Sequence, residues 1–236
     1  MSEEKYLQFA DICTEVRQCD RCVLSNTRNK AVPGEGSLDS EVLFIGEGPG
    51  ANENASGRPF VGAAGKFLDE LIGIAGFERK DVFITNVVKC RPPGNRDPLP
   101  EELQACGGYL KRQIELLDPL LIVTLGRFSM GLYFPLKKIS AIHGQETWID
   151  GRMVVPMFHP AAALHQGALR DVLKKDFARI PEILEAARRM RAGETEDAGE
   201  TFEFEESDAF IPFLDDEPSN EAGMDAKDDS EPPIQQ

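Results

Sequence analysis

Residues 42–50 read Val-Leu-Phe-Ile-Gly-Glu-Gly-Pro-Gly, an apolar run that passes directly into a glycine-rich segment. A short continuous apolar run is typical of a central parallel strand, because both faces of such a strand are buried. Ligands of parallel sheets gather at the carboxyl ends of the strands, where Glu47 follows this one. The stretch therefore predicts a binding loop with Glu47 facing a ligand, although a structural loop with a solvated glutamate fits equally well. The glycine order matches neither common nucleotide motif.

Two further apolar runs, at residues 82–88 and 120–126, predict buried strands of the same sheet. Apolar residues at helical spacing occur between these runs, at 67–75 and 103–117. Residues 147–155 predict a hairpin with an Asp-Gly turn. Strands that alternate with helices indicate the α/β class, with a short central parallel sheet covered on both faces in a three-layer α/β/α arrangement.

The charge is divided unevenly along the chain, whose formal net charge is −15. Residues 192–236 contain sixteen acidic residues and one base, Lys227. Since the chain has 41 acidic and 26 basic residues, 25 of each remain in residues 1–191. We therefore expect a formally neutral folded domain over 1–191, which is compatible with a nucleic-acid partner, and an acidic, disordered tail over 192–236.

The tail carries an apolar island, Ala-Phe-Ile-Pro-Phe-Leu at 209–214, with acidic residues on both sides. This island resembles the tip peptide of bacterial single-strand binding proteins. Two hypotheses follow: the tail docks a repair or replication protein, or it folds back on a basic cleft and competes with DNA. A tail that only increases solubility is the alternative.

The compartment is predicted from what the chain lacks. The N-terminus shows no basic and apolar signal-peptide pattern, and no apolar run approaches the roughly 20 residues that span a bilayer. We expect a cytoplasmic location with no membrane contact and, if the partner is DNA, a nucleoid-associated monomer. A reducing compartment favours metal-bound thiolates over disulfides.

Four cysteines have the spacing of a metal site. Cys19 and Cys22 form a C-x2-C pair in a polar stretch, and Cys90 and Cys106 follow at a strand end and on a helix face. Thiolate ligation suits an iron–sulfur cluster or a structural zinc ion, and free thiols with two core cysteines are the remaining alternative. Cys13 belongs to the apolar stripe of the first helix, so we expect it to be a packing residue.

Three loops leave the predicted carboxyl ends of the strands, at 46–62, 86–98 and 156–166. Asn86 begins the second loop with an amide that can pair two adjacent polar atoms on a base edge, or simply cap the strand. His159 lies in the third, just before a proline, and is either buried or aimed into the cleft. We expect the other two histidines, His143 and His165, to be surface or DNA-contact residues.

Taken together, these residues resemble the family 4 uracil-DNA glycosylases over roughly residues 5–185. The basic insert of the related enzymes that trap DNA covalently is missing after Asn86. Two departures are Ala162, where an aromatic residue is common, and Asn54, where an acid is common. The motifs are Gly-Glu-Gly-Pro-Gly at 46–50, Gly-Arg-Pro-Phe-Val-Gly at 57–62, Thr-Asn-Val-Val-Lys-Cys-Arg-Pro-Pro at 85–93 and His-Pro-Ala at 159–161.

The resemblance implies a monofunctional glycosylase that flips uracil out of DNA and hydrolyses its N-glycosidic bond, leaving an abasic site in base excision repair. It implies that Phe60 stacks on the base, Asn86 reads its edge, His159 stabilises uracil O2, and Glu47 stabilises the sugar and orients water. It also implies that backbone groups of Gly46 and Gly48 line the pocket.

The resemblance also favours a 4Fe-4S cluster over zinc at Cys19, Cys22, Cys90 and Cys106, with a structural role. Two other classes stay open, a non-catalytic iron–sulfur DNA-binding module and a nucleotide-binding protein with a redox cluster. Four basic residues are candidates for contacts with DNA phosphates. They are Arg58, Lys89, Arg91 and Lys138.

Overall fold

The computed structural model of the protein describes residues 2–194. The acidic-tail hypotheses and the island at 209–214 lie outside these residues. Among the described helices, none is both long and apolar enough to cross a membrane.

A mixed sheet forms the centre of the described part of the chain, with strands in the order β1-β3-β2-β4-β6-β5. Strands β3, β2, β4 and β6 are parallel to one another, and β1 and β5 pair antiparallel at the two edges. The predicted parallel sheet is confirmed for the four central strands. The strands are β1 Glu35–Gly36, β2 Val42–Gly46, β3 Phe83–Asn86, β4 Leu121–Leu125, β5 Thr147–Ile149 and β6 Arg152–Met157.

Helices cover both faces of this sheet, which confirms the three-layer arrangement. They are α1 Glu3–Gln18, α2 Ala51–Ser56, α3 Ala63–Ile74, α4 Pro100–Leu117, α5 Arg127–Gly131, α6 Ile139–Ile142, α7 Ala162–His165, α8 Ala168–Ala178 and α9 Ile180–Arg191.

The two core clusters follow from the alternation of side chains along each strand. Val42 and Phe44 of β2 face a cluster built with α3, α8 and α9. Leu43 and Ile45 face a second cluster built with α1 and α4. Because successive strand residues point to opposite faces, an unbroken apolar run supplies both layers at once.

The parallel strands bring their carboxyl ends to one edge of the sheet. Gly46 at the end of β2 lies opposite Asn86 at the end of β3. At the end of β4, the Gly126 N–H donates to the carbonyl of Met157, two residues before His159. The three loops predicted to carry the chemistry therefore begin side by side.

The stacked pair of Phe44 and Phe177 tests the packing of the first cluster. Their ring centroids are 5.8 Å apart at an interplanar angle of 3°, and both side chains are fully buried. We expect Phe177→Ala to lower the free energy of unfolding by about 3–5 kcal/mol, measured by urea denaturation, because it leaves a cavity. Leu136→Ala is the control, since Leu136 is 95% exposed and its loss should change the value by less than about 0.5 kcal/mol. A cost below about 1 kcal/mol for Phe177→Ala would contradict this view of the core.

Candidate active site and cysteine cluster

A cavity of about 310 Å³ lies at the carboxyl edge of the sheet, and we call it the base pocket. Five side chains or backbone groups named from the sequence line it together: Glu47, Gly48, Phe60, Asn86 and His159. Its other lining residues are Pro49, Gly50, Glu53, Ala64, Pro92, Asn95, Arg96 and Ala161.

Gly46 was predicted to line the pocket but is absent from its lining residues. It lies against two residues that form the walls, Asn86 and Phe60. A Cβ atom at this position would lie 2.4 Å from Asn86 Oδ1 and 2.6 Å from Phe60 Cζ. Such distances are shorter than any ordinary contact, so only glycine lets the amide and the ring approach the end of β2 together.

Asn86 places a polar group in an almost dry position. Its side chain is 1% exposed, and its Oδ1 atom has no hydrogen-bond partner among the described residues. A buried acceptor without a donor costs about 1–3 kcal/mol, and in a native structure it calls for an explanation such as a ligand. The amide is therefore the strongest sign that a molecule with a matching donor binds here.

Phe60 is held in a strained backbone conformation. Its φ angle of 48° lies in the left-handed region, which is unfavourable for a bulky side chain. The Arg79 guanidinium donates to the carbonyls of Pro59, at 2.6 Å, and Phe60, at 3.2 Å. Strain of this kind clusters at functional sites and persists only where the surroundings hold it in place.

Glu53 braces the same loop from the other side. Its Oε1 atom accepts hydrogen bonds from the backbone N–H groups of Val61, at 2.7 Å, and Gly62, at 2.9 Å. The neighbouring Asn54 is buried and accepts a bond from the Asn29 N–H at 2.8 Å, so this departure from the family pattern has a local structural use. The sequence analysis missed both bracing residues. Arg79 lies 19 and 20 residues from the carbonyls that it binds. Glu53 lies only 8 and 9 residues from its N–H donors, but no local pattern marks a carboxylate that folds back on its own loop.

His159 is arranged as a neutral hydrogen-bond donor. Its ring stacks on Phe60, with centroids 5.6 Å apart. The Ala161 N–H donates to Nδ1 at 3.1 Å, so the proton of the neutral ring lies on Nε2. Burial lowers the pKa of His159 to about 4, despite the opposing effect of the Glu53 carboxylate.

Burial also shifts the pKa of Glu47, but upwards, in the direction opposite to that of His159. The pKa of Glu47 is raised to about 7, mainly by burial and secondly by the negative charge of Asp97, while Arg127 opposes both. Asp97 and Arg127 form an ion pair with each other near the pocket. A carboxyl group with a pKa near neutrality can exchange protons at physiological pH, which suits a general base.

The four cysteines with metal-site spacing line one small cavity, which we call the cysteine site. Two nitrogen donors reach their sulfur atoms: Arg28 Nη1 lies 3.4 Å from Cys90 Sγ, and the Lys89 backbone N–H lies 3.2 Å from Cys106 Sγ. Donors of this kind fit thiolate ligands. Within residues 2–194, no group of three or more His, Cys, Asp or Glu side chains has the arrangement needed to bind a single metal ion, an arrangement that a cluster of four iron ions, each with its own cysteine, does not require. The cysteines are Cys19, Cys22, Cys90 and Cys106.

Cys13 lies apart from the cysteine site. It is buried in α1 and does not line the cavity. Its expected role as a packing residue agrees with this position.

The prediction that Lys89 contacts DNA phosphate is wrong. Its side chain is 1% exposed, and Nζ donates to Thr85 Oγ1, Asn86 O and Gln113 Oε1, each at 2.7 Å. Burial also lowers the pKa of Lys89 to about 8. Lys89 was expected at the surface because Arg91 lies two residues away in the sequence, but the chain directs the Lys89 amine into the core after β3.

The remaining basic residues stay predictions as phosphate contacts. Arg58 is exposed and paired with Glu35 at 2.7 Å, Arg91 donates to Asn95 at 2.8 Å, and Lys138 is exposed.

The two other histidines differ in exposure. His143 is partly buried, bonded to Asp176 at 2.8 Å and packed against Phe158. His165 is exposed, as expected.

The fold, with four central parallel strands and a pocket at their carboxyl ends, can be compared with those of known protein families. A profile described as the Uracil DNA glycosylase superfamily matches residues 33–185, and the chain belongs to that superfamily. Among curated relatives, a type-4 uracil-DNA glycosylase of Saccharolobus solfataricus is 50% identical over 183 residues, which cover 73% of this chain and 85% of the relative. Within the superfamily, this identity groups the chain with the type-4 uracil-DNA glycosylases.

Two other relatives carry the same name. The type-4 uracil-DNA glycosylase of Archaeoglobus fulgidus is 45% identical over 182 residues, with 73% of this chain and 92% of the relative covered. That of Thermotoga maritima is 42% identical over 183 residues, with 75% and 95% covered. The shared region therefore extends over nearly the whole length of these relatives.

Two glycines of α3 test how tightly the Phe60 loop is packed. A Cβ on Gly65 would lie 2.0 Å from the carbonyl oxygen of Phe60, whereas a Cβ on Gly73 would meet nothing within 4 Å. We expect Gly65→Ala to destabilise the protein by about 1–3 kcal/mol in urea denaturation, because the backbone of Phe60 must shift. Gly73→Ala is the matched control and should stabilise the same helix by up to about 1 kcal/mol. Equal effects of the two substitutions would show that the loop is not held against α3.

Proposed function

We propose that this protein hydrolyses the N-glycosidic bond of a flipped deoxyuridine in DNA, releasing uracil and leaving an abasic site. Its membership among the type-4 uracil-DNA glycosylases supports uracil excision in DNA repair. The observation that carries the proposal is the unpartnered Asn86 Oδ1 in a pocket that also contains Glu47, Phe60 and His159.

Base recognition depends on the Asn86 amide and the Phe60 ring. The amide oxygen accepts the N3–H of uracil, and the amide nitrogen donates to O4. Cytosine presents an amino donor at the position of O4, so the same amide would be mismatched. Stacking on Phe60 contributes about 1–3 kcal/mol and helps to offset the cost of flipping the base from the helix.

Bond cleavage separates charge, and two residues respond to it. Negative charge develops on the departing uracil, where His159 Nε2–H donates to O2. Positive charge develops on the sugar, which the Glu47 carboxylate stabilises while it orients or deprotonates the attacking water. A neutral histidine suits this arrangement, because it donates a hydrogen bond without repelling the sugar cation.

The cysteine site holds a 4Fe-4S cluster in this proposal. The four thiols share one cavity, and thiolates from a C-x2-C pair plus two distant cysteines are a usual ligand set for such clusters. When bound, the cluster cross-links α1, the loop after β3 and α4. Hydrolysis of the glycosidic bond needs no electron transfer, so the role of the cluster in this proposal is structural.

Glu47→Gln tests both the reaction and its pH dependence. Because the ionised carboxylate is the active form and the pKa of Glu47 in the DNA-free protein is about 7, kcat/KM of the wild type should rise with pH and be half-maximal near pH 7. The pKa of His159 is about 4, so its ring stays neutral throughout this range. Glu47→Gln should lower kcat by about 100- to 10,000-fold and remove the pH limb, with little loss of affinity for uracil-containing DNA.

The assay is strand scission after alkali on end-labelled oligonucleotides that carry one uracil, thymine or hypoxanthine. The control variant is Glu78→Gln, since the Glu78 side chain is 71% exposed, pairs with Lys80 at the surface, and caps the short helix at Arg79–Asp81 through a side-chain oxygen that glutamine also has. Equal losses of rate and binding in Glu47→Gln would rule out the proposed role of Glu47. Uracil-independent DNA binding without scission by the wild type would instead favour a non-catalytic DNA-binding module.

Substitution of a cysteine tests the metal centre. We expect anaerobically purified wild type to contain about four iron and four sulfide ions per chain, and Cys106→Ser to lose most of both. Cys13→Ala is the matched control, because Cys13 is also a buried thiol but lies outside the cysteine site. One zinc ion per chain, or unchanged iron in Cys106→Ser, would contradict the cluster.

A further inference from the structure

Lys89 lies at the centre of a buried polar network that joins the base pocket to the cysteine site. Its amine donates to three acceptors on two elements: Thr85 and Asn86 of β3 and Gln113 of α4. The network takes no direct part in the proposed reaction, since none of its groups except Asn86 lines the base pocket.

From these contacts we infer that Lys89 is a positioning residue, which fixes the backbone of Asn86 so that its amide selects uracil. The inference rests on the proposed function and deepens it, because it assigns base selectivity to a residue that cannot touch the base.

The peptide unit between Asn86 and Val87 is fixed at both of its polar ends. The Asn86 carbonyl accepts from Lys89 Nζ at 2.7 Å, and the Val87 N–H donates to the Gly46 carbonyl at 3.0 Å. Loss of an anchor would let this peptide shift together with the Cα atom of Asn86, and the side chain would move with that atom, since its own oxygen has no partner to hold it. The orientation of the amide therefore depends on its backbone, and one of the two backbone anchors is Lys89.

The far side of the network is itself well anchored. Gln113 directs its oxygen at Lys89, because its Nε2 donates to the Pro33 carbonyl at 2.7 Å. Thr85 Oγ1 donates to the same carbonyl at 2.9 Å. Two of the three acceptors of Lys89, on Thr85 and Gln113, are thus already fixed, so the amine is itself held in place when it binds the third, the Asn86 carbonyl.

The backbone of Lys89 is attached to the cysteine site. Its N–H donates to Cys106 Sγ at 3.2 Å, its carbonyl accepts from the Val32 N–H at 2.7 Å, and the next residue is Cys90. The lysine therefore connects a segment held by two cysteines to the strand end that reads the base. An apolar side chain would fill the same space without making this connection.

Lys89→Met tests the inference, because methionine keeps an unbranched apolar stem and removes the three hydrogen bonds. We expect kcat/KM for uracil in DNA to fall by about 10- to 100-fold. The inhibition constant of free uracil should rise by a similar factor, because free uracil engages the Asn86 amide. Affinity for DNA that carries a tetrahydrofuran abasic site should stay within about twofold, since no base is present to be read.

Arg112→Met is the matched control. Arg112 binds Glu15 across α1 and α4, close to the cysteine site, but has no bond to Asn86. Iron content per chain is measured for every variant, and comparisons are made per loaded protein. Unchanged uracil inhibition in folded, iron-loaded Lys89→Met, or equal losses in Arg112→Met, would overturn the inference.

A second variant covers the case in which Lys89→Met does not fold. The double substitution Lys89→Met with Gln113→Leu removes the amine and its α4 acceptor together, so no Gln113 oxygen is left buried without a donor. It should show the same selective loss of uracil inhibition, and wild-type inhibition would overturn the inference. Failure of the wild type to excise uracil would instead reject the proposed function, so the two failures are distinguishable.

Discussion

The close approach of Asn86 to Gly46, at the ends of two neighbouring parallel strands, is the contact on which the base pocket depends. Parallel pairing sets these residues opposite each other, and the missing Cβ of Gly46 leaves space for the Asn86 amide and the Phe60 ring. Any side chain there would displace both walls of the pocket. The loops that carry Glu47 and His159 complete the pocket around this pair of strand ends.

Burial in this pocket perturbs two titratable groups in opposite directions and makes both useful. Removal from water disfavours charge, so it raises the pKa of the Glu47 carboxyl and lowers that of the His159 imidazole. One group becomes a base that can work near neutral pH, and the other becomes a neutral donor. In the proposed reaction, burial therefore adapts both groups to the cleavage of the N-glycosidic bond, which separates charge between the sugar and the base.

Charged side chains in this protein also serve as internal scaffolding. Arg79 and Glu53 hold the strained Phe60 loop through backbone hydrogen bonds, and Lys89 holds the end of β3 from inside the core. A buried charge is costly unless its hydrogen bonds are all made, so the buried Lys89 restricts its surroundings to one arrangement. Arg79 and Glu53 are only partly buried and act through their bonds to the backbone. Such rigidity suits a pocket that, in the proposed function, distinguishes uracil from cytosine by the pattern of donors and acceptors on the base edge.

The sequence by itself determined the central strands, their two core faces and several of the pocket residues, because apolar periodicity and strand-end motifs are local signals. Glu47, Asn86 and His159 were noticed because each lies at or just after the end of a strand of one parallel sheet, whereas their roles and that of Phe60 came from the resemblance to family 4. Only the tertiary structure decided that Lys89 is buried and that Arg79 braces Phe60, since these contacts join segments far apart in the chain. Whether a charged side chain faces water or a buried acceptor depends on the segments that pack against it, and a local sequence pattern does not reveal which segments these are.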